Sequence, residues 1–210
     1  MEPGIQKFPS YHQPQDYPGP KNFKAWAGSV ILRFFGWRVA GQLPDVPKWV
    51  AIGAPHTSNW DFPFMVAASW VMGVRLRWLG KAALFKGPWG GMMKALGGIP
   101  VDRTQSNDMV QDMVDWFEKS DHLVVAVPPS GTRAFRDHWK TGFYYIAQQA
   151  GVPVGLGILD FKEKAAGFTG LLVPSGDIEK DFEALREFYA PIGAKFADKV
   201  NTVQLRPKDP

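Results

Sequence analysis

Two hydrophobic periods alternate along most of the chain. From Pro47 onward, KWVAIGAP is a continuous apolar run bounded by turn residues, which predicts a short buried strand. FPFMVAASWVMGV is longer and closes on Gly73, so it predicts a buried helix, one too short to span a bilayer. Further strands are predicted at VRLRWLGK, at Ile99 to Val101, at HLVVAVPP, at VPVGLGILDF and within GFTGLLVPSGD. Between them NDMVQDMVDWFEKS carries apolar residues at 109, 110, 113, 114, 116 and 117, with acids early and Lys119 late, a helix signature. WKTGFYYIAQQAG predicts a helix ending at Gly151, and IEKDFEALREFYAPIGA a closing helix. LFKGPWGGMMKALGGIPVDR, broken by glycine pairs and prolines, predicts a short helix between turns. Alternating strands and helices imply one α/β domain over 46–210, a mostly parallel sheet flanked by helices.

The first 45 residues follow neither period throughout. Residues 1–20 hold five prolines among polar residues and are expected to be a flexible arm, unable to bury enough surface to fold alone. Residues 21–45 are expected to be an amphipathic helix lying on a membrane surface. Phe23, Trp26, Val30, Phe34 and Trp37 recur at helical spacing, flanked by Lys21, Lys24, Arg33 and Arg38. A helix packed on the protein core satisfies the same pattern.

Composition narrows this picture. With 210 residues the chain can bury one substantial core, and its 45% hydrophobic content and nine tryptophans exclude disorder. The net charge of +4 conceals an asymmetry. Residues 1–105 carry twelve Lys and Arg against five Asp and Glu, or +7, whereas 106–210 carry twelve against fifteen, or −3. The basic half suits an anionic partner such as a phosphate-bearing ligand or bilayer. No nucleic-acid-binding signature accompanies it, so no nucleic acid is expected. The absence of cysteine excludes a disulfide framework, a thiolate nucleophile and a cysteine-based zinc site. Neither a secretory signal nor a spanning run is visible, and the expected location is peripheral or monotopic on the cytoplasmic face of a membrane.

Candidate chemistry begins at Pro55-His56-Thr57-Ser58-Asn59-Trp60-Asp61, between a predicted strand and a predicted helix. Five residues apart on a regular helix, His56 and Asp61 would point roughly 140° away from each other, so they converge only if the chain turns between them. Ser58 and Asn59 favour such a turn. The carboxylate could then accept the imidazole Nδ1 proton, fix the tautomer and leave the other nitrogen free as a general base. A structural His–Asp contact has the same spacing.

Arg103 follows the strand of Gly97-Gly98-Ile99-Pro100-Val101, and Arg133 follows HLVVAVPP within Pro129-Ser130-Gly131-Thr132-Arg133. Arginines after parallel strands gather at one sheet edge, where α/β proteins bind ligands, and their planar forks suit phosphate. Lys81 follows a third strand as a further cation. Surface ion pairing is the other reading of each.

Taken together, these segments resemble the glycerophospholipid acyltransferase family, typified by 1-acyl-glycerol-3-phosphate acyltransferase. HTSNWD matches its H-x-x-x-x-D motif, GGIPVDR is similar to its second motif, PSGTR to its third and VPVGLGI to its fourth, in order over about residues 48–160. The resemblance implies His56 as base, Asp61 as its orienter, and Arg103 and Arg133 as ligands of the acceptor phosphate, with Lys81 a weaker candidate. It implies acyl transfer from acyl-coenzyme A or acyl-carrier protein to a lysophospholipid hydroxyl, without a metal or bound cofactor. One departure stands out: the third motif normally reads P-E-G-T-R, and Ser130 occupies the glutamate position. A serine cannot replace a carboxylate that pairs with a cation, which leaves acylation of a different lysolipid or glycolipid open. Two other readings also remain: an ester-lipid hydrolase with Ser58 or Ser130 as nucleophile, though no G-x-S-x-G elbow occurs, and a non-catalytic lipid-binding module.

Overall fold

The apolar runs do become the interior of one sheet. A computed structural model describes residues 2–8, 10–101 and 106–207, with no side-chain description for 101 and 106–108. Nine strands and six α-helices are found among the described residues: β1 (Gly4–Lys7), β2 (Tyr11–His12), α1 (Phe23–Phe34), β3 (Arg38–Gly41), β4 (Lys48–Ala54), α2 (Asp61–Met72), β5 (Leu76–Lys81), α3 (Gly90–Ala95), β6 (Gly98–Val101), α4 (Ser106–Glu118), β7 (Leu123–Ala126), α5 (Gly142–Gln149), β8 (Val154–Asp160), β9 (Ala165–Val173) and α6 (Ile178–Tyr189).

The strand order is β2-β3-β9-β8-β4-β7-β5-β6. Strands β8, β4, β7, β5 and β6 run parallel, β9 runs antiparallel to β8, and β3 runs parallel to β9. Side chains alternate across the pleat. In β4, Val50, Ile52 and Ala54 join the core beneath α4, α5 and α6, while Trp49 and Ala51 join the one beneath α1 and α2. The parallel strands therefore end together, and their carboxyl ends present the loops that carry chemistry.

The amino-terminal expectations need correction. The described residues among 1–20 do not form an arm: β1 pairs with residues 170–173 of β9, β2 pairs with β3, and Phe8 and Tyr17 are buried. A segment too poor in apolar residues to fold alone gains its backbone partners from an edge that already exists. Nor does a helix occupy all of 21–45. Helix α1 ends at Phe34, Gly36 turns the chain with φ +72°, and residues 38–41 enter the sheet beside β9.

Helix α1 starts at Asn22, whose side chain accepts the Ala25 N–H at 3.0 Å, and buries Ala25, Gly28 and Leu32. Gly28 allows the close approach to α2, since a β-carbon there would stand 2.5 Å from the Ala67 carbonyl oxygen. The opposite ridge faces outward: Phe23 is 77% exposed, Trp26 61%, Val30 48% and Phe34 83%. Trp37 departs from this ridge, being buried against Phe64 with ring centroids 4.1 Å apart. Arg38 is likewise not a free basic flank. It pairs with Glu163 at 3.2 Å and lies over the Tyr11 ring. Among the described residues no helix is long and apolar enough to cross a membrane.

Candidate active site

The loop from β4 to α2 makes the turn that brings His56 to Asp61. His56 Nδ1 lies 2.9 Å from Asp61 Oδ2. The same oxygen accepts the backbone N–H groups of Thr57 and Ser58, each at 2.9 Å. Asp61 stands in the first turn of α2, where the helix dipole favours a negative charge. Its side chain is 1% exposed, whereas that of His56 is 27% exposed. Donation from Nδ1 to the carboxylate would leave Nε2 with its lone pair, and His56 also lines a pocket. Ser58 Oγ accepts the Trp60 N–H at 3.1 Å and so helps hold the turn, while Asn59 is exposed.

The pocket has a volume of about 180 Å³. Its floor is Gly53 to His56 with Pro129 and Ser130, from the ends of the neighbouring strands β4 and β7. Trp139, Tyr189, Ile192, Val200 and Val203 give it largely apolar walls, joined by Asn201 and Arg186. The Tyr189 hydroxyl donates to the Gly157 carbonyl at 3.1 Å, and burial pushes its pKa well above that of free tyrosine. It is a neutral wall, not a base.

The third segment lies beside this floor. Ser130 is buried, and its hydroxyl donates to the Thr132 carbonyl at 2.8 Å. Gly131 has φ +63°, and the Thr132 hydroxyl accepts the Ala134 N–H at 3.2 Å. Arg133 is exposed and makes no ion pair or hydrogen bond among the described residues, leaving its guanidinium available. Lys140 supplies a cation that spacing alone had not assigned. A β-carbon on Gly131 would sit 3.3–3.5 Å from Lys140 Cε, Cδ and Nζ, so this side chain covers the glycine turn. The Lys140 backbone N–H also bonds to the Pro129 carbonyl at 2.8 Å. Lys81 ends β5 and is exposed at the same edge of the sheet, two strands from β4. Arg103 lies outside the described residues.

The walls contributed by residues 190–203 had no signal in local spacing. They arrive because the chain after α6 wraps around the carboxyl ends of the strands. Gly193 N–H donates to Asp160 Oδ1 at 3.2 Å, Phe196 N–H reaches Thr57 Oγ1 at 3.4 Å, and Thr202 N–H reaches the Arg136 carbonyl at 3.1 Å. Gly193 is needed where it approaches the end of β8, since a β-carbon there would lie 2.5 Å from Lys162 Cβ. Neither serine hydroxyl weighed as a nucleophile bonds to His56 among the described residues. Nor does any cluster of three or more His, Asp or Glu among them suit a metal ion.

Residues 42–155, more than half of the chain, match the family model described as Acyltransferase. The chain belongs to this acyltransferase family. The matched span contains His56, Asp61, Lys81, Arg103 and the 129–133 turn, so every candidate catalytic and phosphate-binding residue lies within it. Among solved structures, the crystal structure of the 1-acyl-sn-glycerophosphate (LPA) acyltransferase PlsC from Thermotoga maritima resembles this acyltransferase with a TM-score of 0.53. The likeness covers 78% of this chain and 72% of that one at 16% identity, and at that identity it speaks for the fold: a mixed, mostly parallel sheet flanked by helices. Comparison with curated proteins gives no match.

Proposed function

We propose that this acyltransferase moves a fatty acyl group from a thioester, acyl-coenzyme A or acyl-carrier protein, to the free hydroxyl of a lysophospholipid of the 1-acyl-glycerol-3-phosphate kind. The observation that carries the reading is the 2.9 Å contact of His56 Nδ1 with buried Asp61, which leaves Nε2 free to act as a base on a residue that lines the pocket. His56 Nε2 takes the acceptor's hydroxyl proton as that oxygen attacks the thioester carbonyl. The tetrahedral intermediate collapses by breaking the carbon–sulfur bond. The departing thiolate recovers the proton from the imidazolium, giving an ester and a free thiol. Asp61 steadies the imidazolium between these transfers.

Arg133 and Lys140, with Lys81 further along the edge, are the cations assigned to the acceptor phosphate, since neither Arg133 nor Lys140 is held by an acid among the described residues. The outward aromatic ridge of α1 fits the bilayer interface. Lys24 and Arg33 are exposed beside it without ion-pair partners among the described residues, free to meet lipid phosphates. The protein then works as a peripheral or monotopic enzyme that meets both lipid substrates at a membrane surface.

A labelled acyl thioester supplied with and without lysophospholipid tests this reading. The expected product is label in a two-chain phospholipid, formed only when acceptor is present. Free fatty acid formed without acceptor would make the protein a hydrolase, and unchanged thioester would make it a binding module.

A further inference from the structure

The chain that wraps the catalytic end of the sheet carries cations as well as pocket walls. Lys195 Nζ lies 5.1 Å from the centroid of the Trp60 ring, 5.8 Å from that of Phe161 and 5.9 Å from that of Phe196. Lys199 Nζ lies 4.7 Å from the Phe196 centroid. Both lysines are exposed, and neither has an acidic partner among the described residues. Trp60 is 44% exposed and Phe196 40% exposed. These rings continue the ridge of α1: Phe34 contacts Phe35 with centroids 5.0 Å apart, and Phe35 contacts Trp60 at 5.4 Å. Lys164 joins the group, its Nζ 3.4 Å from the Phe35 carbonyl.

The geometry points to a second bilayer-contact surface, formed by Lys195, Phe196 and Lys199 over Trp60, that takes anionic phospholipid headgroups. This rests on the reading of α1 as a membrane-surface helix and extends it across the catalytic loop. Half-exposed bulky rings beside lysines without acidic partners are what the headgroup boundary accommodates, the rings at its apolar side and the ammonium groups at the phosphates. An acidic protein or a polynucleotide would use the lysines, but neither needs the exposed rings of α1, Trp60 and Phe196 beside them. The consequence is geometric. Trp60 directly precedes Asp61, and Phe196 N–H bonds to Thr57, so a bilayer held here lies against the loop that carries His56. A lysolipid could reach the base without leaving the interface.

Sedimentation with phosphatidylcholine vesicles, with and without phosphatidylglycerol, tests the surface on the full chain. Replacing Lys195 and Lys199 together by Gln should weaken partitioning onto anionic vesicles about 30-fold, from roughly 1 kcal/mol per cation near such a surface. Binding to neutral vesicles should change little. The Lys195→Arg, Lys199→Arg pair should bind like wild type, and circular dichroism on each variant checks the fold. Phe196→Ser should weaken binding to both kinds of vesicle. If the Gln pair binds anionic vesicles as wild type does while Trp26→Ser and Phe34→Ser abolish binding, α1 stands as the membrane element and the second surface is wrong. If wild type ignores all vesicles, both fail. Saturable capture of a polyanion in place of vesicles would also overturn the inference.

Discussion

The β4–α2 loop and the turn after β7 both supply candidate chemistry, yet the protein treats them differently. In the first, one Asp61 oxygen gathers three donors, His56 Nδ1 and two backbone N–H groups, in a nearly water-free setting. In the second, Arg133 and Lys140 are held by no acid among the described residues, and the small side chains of Ser130 and Thr132 are tied to backbone. A base must be aligned before substrate arrives, because its contribution depends on orientation. A phosphate ligand can be completed by the phosphate itself. The first loop is therefore read as the reaction's machinery and the second as the acceptor's landing site, and substitutions in the two should separate kcat from KM.

The largest effect is expected at His56. His56→Ala should lower kcat by about two to four orders of magnitude, the range for losing a general base, while the acceptor KM stays near wild type. Steady-state transfer assays on the folded variant measure both, and near-normal turnover would remove His56 from the mechanism. Asp61→Asn should move kcat in the same direction by less, since the imidazole survives but loses its orienting carboxylate. It should also lower the melting temperature, because a neutral amide oxygen accepts the three bonds on Oδ2 more weakly and the amide NH2 would stand at Oδ1, a buried position without a partner among the described residues.

Across the comparison, Arg133→Ala should raise the acceptor KM about tenfold or more, the equivalent of losing roughly 1.5 kcal/mol in a charge-assisted contact. The thioester KM and kcat should stay near wild type. Equal effects on both substrates would make Arg133 structural. Lys140→Ala should have the same signature at a smaller size, a few-fold, since an ammonium acts as a point charge without a bidentate fork. Titrating lysophospholipid at saturating thioester reads both variants.

The two regions were also unequally legible. The His56–Asp61 turn could be read because everything that sets it lies within six residues, between an apolar run and a helix start. The same holds for α2, which ends on Gly73 in the left-handed conformation as its sequence predicts. Helix α5 was read too early: Trp139 and Lys140 precede it and are committed elsewhere, Trp139 to the pocket and Lys140 to the turn it covers. Those partners are distant in sequence. The pocket walls at Ile192, Val200 and Asn201 come from a segment placed by bonds to Asp160, Thr57 and Arg136, which no local period encodes. Strands β1 and β2 were missed for a related reason. Their stability lies in edges supplied by β9 and β3, while their own composition signals only turns.

Ser130 sits where the two regions meet, and it sharpens the comparison most finely. Its side chain is buried in the floor of the pocket that His56 also lines, with the hydroxyl turned to the Thr132 carbonyl. A glutamate here would need room for a longer side chain and a partner for its charge, in a pocket with mostly apolar walls. Candidates are Lys140, which covers the adjacent glycine, Arg186, which lines the same pocket, and Arg133, which is assigned to the acceptor phosphate. A carboxylate that captured Lys140 or Arg133 would compete with the acceptor for the same cation. Ser130→Glu should therefore lower activity on the chain's own acceptor by a few-fold, mainly through KM, with a small loss of melting temperature. Ser130→Ala should lose only the bond to Thr132, about 0.5–1.5 kcal/mol of stability, and keep the acceptor KM near wild type. Both variants and wild type should be compared across several lysolipids. A gain for Ser130→Glu on 1-acyl-glycerol-3-phosphate would show that a carboxylate fits beside Arg133 after all and that serine is a loss. Indifference on every lysolipid would place Ser130 outside the acceptor's reach and confine the landing site to the exposed cations.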